Sequence, residues 1–289
     1  MRAYNLILYQ GNELRAIRCL SLSCKHLILF YLIFIYSIPG VADPSEKLRP
    51  WQKIRQGLEY TNILPEHAIH FLRVNPKLLA MNVYSTPTHH KSKLTAKEWA
   101  NEQGLIFSIN AGMYHLDYAT HVGYLKIDQY HNNLKLNHYK SLAMFGPVGG
   151  SIPAFRMIDL DLGAHSIKNL AKQYRFVIQN LRLIKHPGEN KWRKPSSAWS
   201  EAALARDKDG NAVFIFAQTP LPMGDFNRLL LRLPLNIQAA QHLDGGRVAQ
   251  LYVQSENFEL FLQGQSKLGA DLTSQSPPPL PFVIGIPRS

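Results

Sequence analysis

The chain has 289 residues, 46% of them hydrophobic and 18% charged, a composition that suits a folded globular protein and excludes disorder along the whole length. Its 32 Lys and Arg against 20 Asp and Glu give a net charge of +12. The basic residues are scattered, with no zinc-finger spacing and no aromatic RNA-binding signature, so no nucleic-acid partner is expected and an anionic glycan or phosphate-bearing ligand fits the charge better.

The N-terminus places Arg2, Arg15, Arg18 and Lys25 ahead of an apolar run over residues 27–38, which gives way to Pro39, Gly40, Val41 and Ala42. A basic stretch, a short apolar run and small residues at Gly40 and Ala42 describe a cleavable export signal. The run is shorter than the roughly 20 residues that cross a bilayer. A retained anchor is the alternative, and membrane contact is expected only through this segment if it stays uncleaved. Residues 1–42 are therefore expected to be a leader, and residues 43–289 a single exported domain, periplasmic or extracellular. Both cysteines, Cys19 and Cys24, lie in the leader, so packing rather than disulfides must hold the rest together.

Beyond the leader, short strands are expected at 57–61, 70–74 and 78–84, separated by Pro65 and by Asn75-Pro76. Thr95 caps a helix over 96–103, with Glu98 three residues after the cap and Gly104 as the stop. A buried strand at 105–109 then runs into Asn110, Ala111, Gly112 and Met113. Further strands are expected at 122–127, 142–145 and 155–158, then a helix at 167–173 and one strand over 176–183. Residues 202–217 read as a hairpin turning through Asp207, Lys208, Asp209 and Gly210. Asp225 opens a helix that Pro234 ends. Strands at 239–243, 248–253 and 258–261 follow, and a Pro-rich connector over 274–281 leads to a last strand at 282–286. Many strands with few, isolated helices imply an α+β fold, a mixed or antiparallel β-sheet core with a few flanking helices. No glycine loop opens a helix as a nucleotide fold requires.

Two polar clusters stand at strand ends. In the first, an apolar strand stops at Asn110, which sets a polar side chain at the sheet rim, and Gly112 permits close backbone approach. Tyr114, His115, Asp117, His121 and Gly123 follow. The plain alternative is a capped strand end. The second cluster is Gln241, His242, Leu243, Asp244, Gly245, Gly246 and Arg247. Asp-Gly is first a turn signal, yet Asp244 ends a buried strand, and period-two alternation puts His242 on the same face. Glu201 opens another apolar strand, where a solvated edge is the competing reading. Asn110, His115, Asp117 and Asp244 would suit a divalent cation if they converged. No zinc-type spacing such as His-Glu-x-x-His is present, and no cofactor or metal is expected.

These pieces, in this order, resemble the phosphodiester glycosidase family. The matching stretches are Gly57-Leu58-Glu59-Tyr60 with Leu72-Arg73-Val74-Asn75-Pro76, and Ile109-Asn110-Ala111-Gly112-Met113 with Val122-Gly123. Ser200-Glu201-Ala202-Ala203-Leu204-Ala205 with Asp209-Gly210 comes next, then Leu243-Asp244-Gly245-Gly246; together they cover nearly all of 51–286. Ser200-Glu201 stands where many members carry an Arg, and Arg247-Val248-Ala249 replaces the small hydroxylic residues that often follow the double glycine. Residues 146–150 also lack an Asn found in part of the family. The resemblance implies a hydrolase that cleaves the sugar C1–O bond of a sugar-1-phosphodiester or related glycan linkage, with a carbohydrate or sugar phosphate as partner. Phosphate is a good leaving group, so one or two carboxylates suffice to stabilise an oxocarbenium-like centre or activate water, with cations to hold the phosphate. On that basis Asp244 is the leading carboxylate and Glu201 its partner. Asn110 orients substrate hydroxyls, and His242, His115 or His121 relays a proton. Arg182, Arg206 or Arg247 meets the phosphate, and Gly112, Asp117, Gly123, Gly245 and Gly246 line the substrate site. A non-catalytic carbohydrate-binding or envelope-polysaccharide assembly protein on the same scaffold is the alternative. Convergence of Asn110, Glu201 and Asp244 separates the two.

Overall fold

The structure is a computed structural model that describes residues 5–10, 13–18, 48–63, 68–89, 94–162, 167–194, 196–265 and 276–288. The chain divides into two compact units, Met1–Glu46 and Lys47–Ser289. In the first, β1 (Asn5–Gln10) and β2 (Glu13–Arg18) form an antiparallel hairpin. The apolar run at 27–38 and the Gly40/Ala42 pair lie outside the described residues.

The second unit opens with β3 (Gln52–Arg55), β4 (Leu58–Ile63), β5 (Ile69–Val74), β6 (Asn82–Ser85) and a single helical turn, α1 (Thr86–His89). Helix α2 (Ala96–Gln103) and β7 (Leu105–Asn110) follow, then β8 (Leu125–Ile127), β9 (Tyr130–Asn133), β10 (Ser141–Pro147) and β11 (Phe155–Asp159). Next are α3 (Ile167–Gln173), β12 (Tyr174–Asn180), β13 (Arg182–Lys185), β14 (Glu189–Asn190), β15 (Ala198–Asp207) and β16 (Ala212–Pro222). Helix α4 (Met223–Arg232), β17 (Ile237–Gly245), β18 (Gln250–Ser255), β19 (Phe258–Gln263) and β20 (Phe282–Pro287) complete the unit.

The strands form three sheets, ordered β14-β13-β17-β15-β16-β5-β4-β3, β11-β10-β12-β8-β9 and β19-β18-β7-β20-β6. Their ladders are antiparallel, so among the described residues the expected core is antiparallel rather than mixed. All three turn one face to a common core. Leu72, Phe214 and Leu243 come from the first sheet, Phe145 and Ile178 from the second, and Phe107, Leu251 and Ile284 from the third. Each outer face carries one helix. Phe226, Leu229 and Leu230 of α4 pack on the first sheet, Leu170 and Ala171 of α3 on the second, and Trp99 of α2 on the third. Burial on both faces explains why β7 opens on the unbroken apolar run Leu105–Phe107 instead of alternating, with every position buried.

Local chemistry sets several boundaries. Thr95 and Glu98 form the reciprocal capping box that starts α2, and Gly104, at φ 60°, ends it. Residues 78–81, expected as strand, lie in and just after a turn in which the Asn75 carbonyl accepts from both Leu78 and Leu79. Their apolar character comes from burial of Leu79 and Met81 in the central core. The single strand expected over 176–183 is two strands. The chain leaves the second sheet at Asn180 and joins the first at Arg182, with the Leu181 carbonyl accepting from His242 N between them. That crossover brings the sheets together beside β17.

Candidate active site

Three strand ends converge where the sheets meet: Asn110 closing β7, Asn180 closing β12, and the C-terminal part of β17 beside the start of β15. Asn110, Glu201, His242 and Asp244 are 1%, 2%, 4% and 7% exposed. In β15 and β17, Glu201 pairs with Gly245, Ala202 with Asp244 and Ala203 with His242, so the ladder slips by one residue at Leu243. Ala202 and Leu243 belong to the central core, whereas Ala203 packs under α4. His242 therefore shares the Ala203 side of the sheet, with Glu201, and Asp244 is turned to the central side. This corrects the alternation expected from sequence, which placed His242 and Asp244 on one face; a β-bulge re-aims the second side chain.

Glu201 Oε1 lies 2.5 Å from His242 Nδ1, and Trp199 Nε1 donates to Glu201 Oε2 at 2.9 Å. Burial by itself would lower the His242 pKa, but the charge and hydrogen bond of Glu201, with Asp244 behind them, raise it above its ordinary value. Burial pushes Asp244 up to about 7 against the opposing pull of His242, the Gly245 N–H and the Asn110 amide, while the Glu201 charge adds to the rise. Near neutral pH this carboxyl exchanges its proton readily, as an acid–base group must.

Asn110 works mainly on the backbone. Its Oδ1 accepts from Gln250 N at 2.7 Å and its Nδ2 donates to the Val248 carbonyl at 2.8 Å, which pins the single 3-10 turn Gly246–Val248 after Asp244. Gly245 and Gly246 are required there. A Cβ at Gly245 would lie 2.5 Å from the Trp199 ring, and Gly246 adopts a φ of 64° that favours glycine. The neighbouring Arg247 is half-buried and has no hydrogen-bond or ion-pair partner among the described residues.

The loop after β7 supplies Tyr114, and β12 supplies Asn180, two residues that the sequence pattern left without a role. The Tyr114 hydroxyl is buried and unpartnered, and its pKa is raised by burial first and then by the Asp244 charge, which places the two near each other. Asn180 donates to the Ala111 carbonyl at 3.0 Å. Its Oδ1 and His121 Nε2, both without hydrogen-bond partners, crowd the open side of Gly112, where a Cβ would sit 2.5 and 2.2 Å from them. Burial lowers the His121 pKa to about 4, so its ring is neutral. Asn180 had a usable signal: like Asn110, it is a polar residue ending an apolar run.

Other expected residues have different work. Asp117 folds its own turn, accepting from Ala119 N, Thr120 N and the Thr120 hydroxyl, and those bonds, the hydroxyl's first, hold its pKa at about 2. His115 is exposed on that loop, and among the described residues no group of three or more His, Cys, Asp or Glu is arranged to hold a metal. Arg182 is committed to Asp159 at 2.6 Å and Asp161 at 2.8 Å. Arg206 lies five residues along β15 from Glu201, roughly 17 Å at the usual strand rise, so it stands away from the site. Gly123 lets its chain press against the Gln179 carbonyl, 2.5 Å from where a Cβ would be.

A buried carboxyl with a pKa raised to about 7, near a carboxylate–imidazole pair on an antiparallel scaffold, is an arrangement suited to acid–base chemistry. The chain belongs to the phosphodiester glycosidase family, whose model matches residues 103–286 and so takes in Asn110, Glu201, His242 and Asp244. It is accordingly a hydrolase of the glycosidase kind. Among solved structures it is similar to the zebrafish N-acetylglucosamine-1-phosphodiester alpha-N-acetylglucosaminidase catalytic domain auto-inhibited by its pro-peptide. That match has 13% identity, covers 86% of each chain and gives a TM-score of 0.57. A hypothetical protein from Synechocystis matches at 12% identity and a TM-score of 0.51, over 82% of this chain and 64% of that one. At such identities the likeness concerns the fold. A search of curated protein sequences gave no match.

Proposed function

We propose that this glycosidase hydrolyses the bond between the anomeric carbon of a sugar and the oxygen of a phosphodiester. The observation that carries the reading is Asp244, buried at the meeting point of the sheets with a pKa of about 7 beside the Glu201–His242 pair. In its ionised form Asp244 takes a proton from water as the water oxygen bonds to C1. The C1–O bond breaks with its electron pair passing to the phosphate, leaving a free sugar and a phosphomonoester. Arg247 offers positive charge for the phosphate, and Glu201 holds His242 Nδ1 so that Nε2 is the nitrogen left for the ligand. Asn110 acts as a positioning residue through the turn it pins. The zebrafish structure makes an N-acetylglucosamine-1-phosphodiester the first substrate to try. The basic and apolar pattern over residues 1–42, read as a leader, supports action outside the cytoplasm.

The test is turnover of that substrate by the parent and by Asp244→Asn, which keeps size and turn preference while removing the charge. The expected loss is at least about 10²-fold in kcat/KM. In the parent, kcat/KM should fall about tenfold per pH unit below roughly pH 7, as the base becomes protonated. Near-parental turnover by the variant would reduce Asp244 to a turn residue.

A further inference from the structure

The central core is not the only place where the second sheet meets other groups. Along β12, Phe176 and Ile178 face the central core, whereas Val177 faces outward under α3. On that outer face, away from the site at Asn180, lies an open cavity of about 620 Å³, within the size range of ligand sites.

Its lining combines two chemistries. Lys126, Lys168, Lys172 and Arg175 all border it, with Asp128 as the acidic residue among the lining groups. Asp128 is already paired with Arg175 at 3.0 Å, and Lys126 Nζ donates to the Tyr174 carbonyl at 2.6 Å, using one of its three N–H groups. Lys168 and Lys172 are exposed and have no partner among the described residues. The rest of the wall is mostly aliphatic, with Tyr124, Gln129 and His131 set among the aliphatic groups. Leu134, Leu136 and Val148 line the same cavity while remaining 63%, 47% and 67% exposed, and the half-buried Ile167 lines it too.

We propose that this cavity is a binding site for an anionic phospholipid, distinct from the catalytic site and beyond its proposed reaction. Lys126, Lys168 and Lys172 take the phosphate, and the exposed leucines and valine receive the first part of the acyl chains. Charge complementarity selects the headgroup: the lining carries four cations and one carboxylate that is already neutralised. The aliphatic rim selects an amphiphile over an anionic polysaccharide, whose hydroxyl-rich surface would leave Leu134 and Val148 without apolar partners. Basic side chains at an anionic lipid surface and apolar side chains entering the acyl boundary act together in interfacial binding.

The test uses the protein as recovered from the producing cell and short-chain phospholipids kept below their micelle concentration, with dissociation constants read by titration calorimetry. Dihexanoylphosphatidylglycerol should bind at least tenfold more tightly than dihexanoylphosphatidylcholine, glycerol phosphate or heparin. Lys168→Glu combined with Lys172→Glu should weaken it at least tenfold, and Leu134→Ser with Val148→Ser should weaken it at least threefold, each with an unchanged melting temperature. Sugar phosphodiester turnover should be unaffected in both variants, which separates this site from the catalytic one. Equal binding of the choline lipid would overturn the proposal in favour of a plain apolar patch. Equal binding of glycerol phosphate or heparin would overturn it in favour of a simple anion site or a polysaccharide. Unchanged affinity in the lysine variant would overturn it outright.

Discussion

Burial of Asp244 affects stability as well as reactivity. Its folded pKa, about 7, is raised above the roughly 3.9 of an unfolded aspartate, so the native state holds the proton more tightly. The resulting stabilisation is complete below about pH 4 and is lost as pH rises through 7, above which the fold carries a buried charge. Asp244→Asn removes that charge. The variant should therefore gain stability relative to the parent at pH 8, on the order of 1–3 kcal/mol, and much less at pH 4.5. Urea denaturation of both proteins at the two pH values checks this, and an equal difference at both would show that Asp244 does not titrate in this range. The placement of Asp244, Glu201 and Asn110 on apolar strands was legible in the sequence, because each is a polar residue set against an apolar run. The separate duties of Arg182 and Arg247 were not, because only the fold brings Asp159 and Asp161 to the first and leaves the second unpaired among the described residues.

At the scale of elements, β7 and the bulge in β17 do most to shape the site. Asn110 holds the Gly246–Val248 turn with two backbone hydrogen bonds. Asn110→Ala would leave a part-buried carbonyl and a buried N–H without partners, at about 1–3 kcal/mol. It should lower the melting temperature and also reduce kcat, since the turn that follows Asp244 loosens. A variant that loses stability but keeps full kcat would confine Asn110 to a structural role. The bulge shows where sequence patterning runs out. Alternation predicted His242 and Asp244 on one face, and nothing in the local residue types announces the extra residue at Leu243. The slip is visible only once Ala202 and Ala203 are paired across the ladder. The strand over 176–183 hid its break in the same way, because apolar residues resume at Leu181 and Leu183 after Gln179 and Asn180 while the backbone changes sheets.

For the molecule as a whole, the antiparallel, helix-poor architecture followed from many short apolar runs separated by turn residues. The arrangement into three sheets around one core did not, because it depends on contacts between residues as distant as Asn110 and Val248. The expectation of export remains a property of the N-terminal pattern. N-terminal sequencing of protein recovered from the cell envelope or medium should begin at Asp43 or a close neighbour, whereas intact Met1 on soluble cytoplasmic protein would contradict it. The central claim, attack at the sugar carbon, is tested most directly by the fate of the water oxygen. Hydrolysis of an N-acetylglucosamine-1-phosphodiester in ¹⁸O-water, followed by mass spectrometry of both products, should place the label in the sugar. Label in the phosphomonoester would mean attack at phosphorus and would contradict the account.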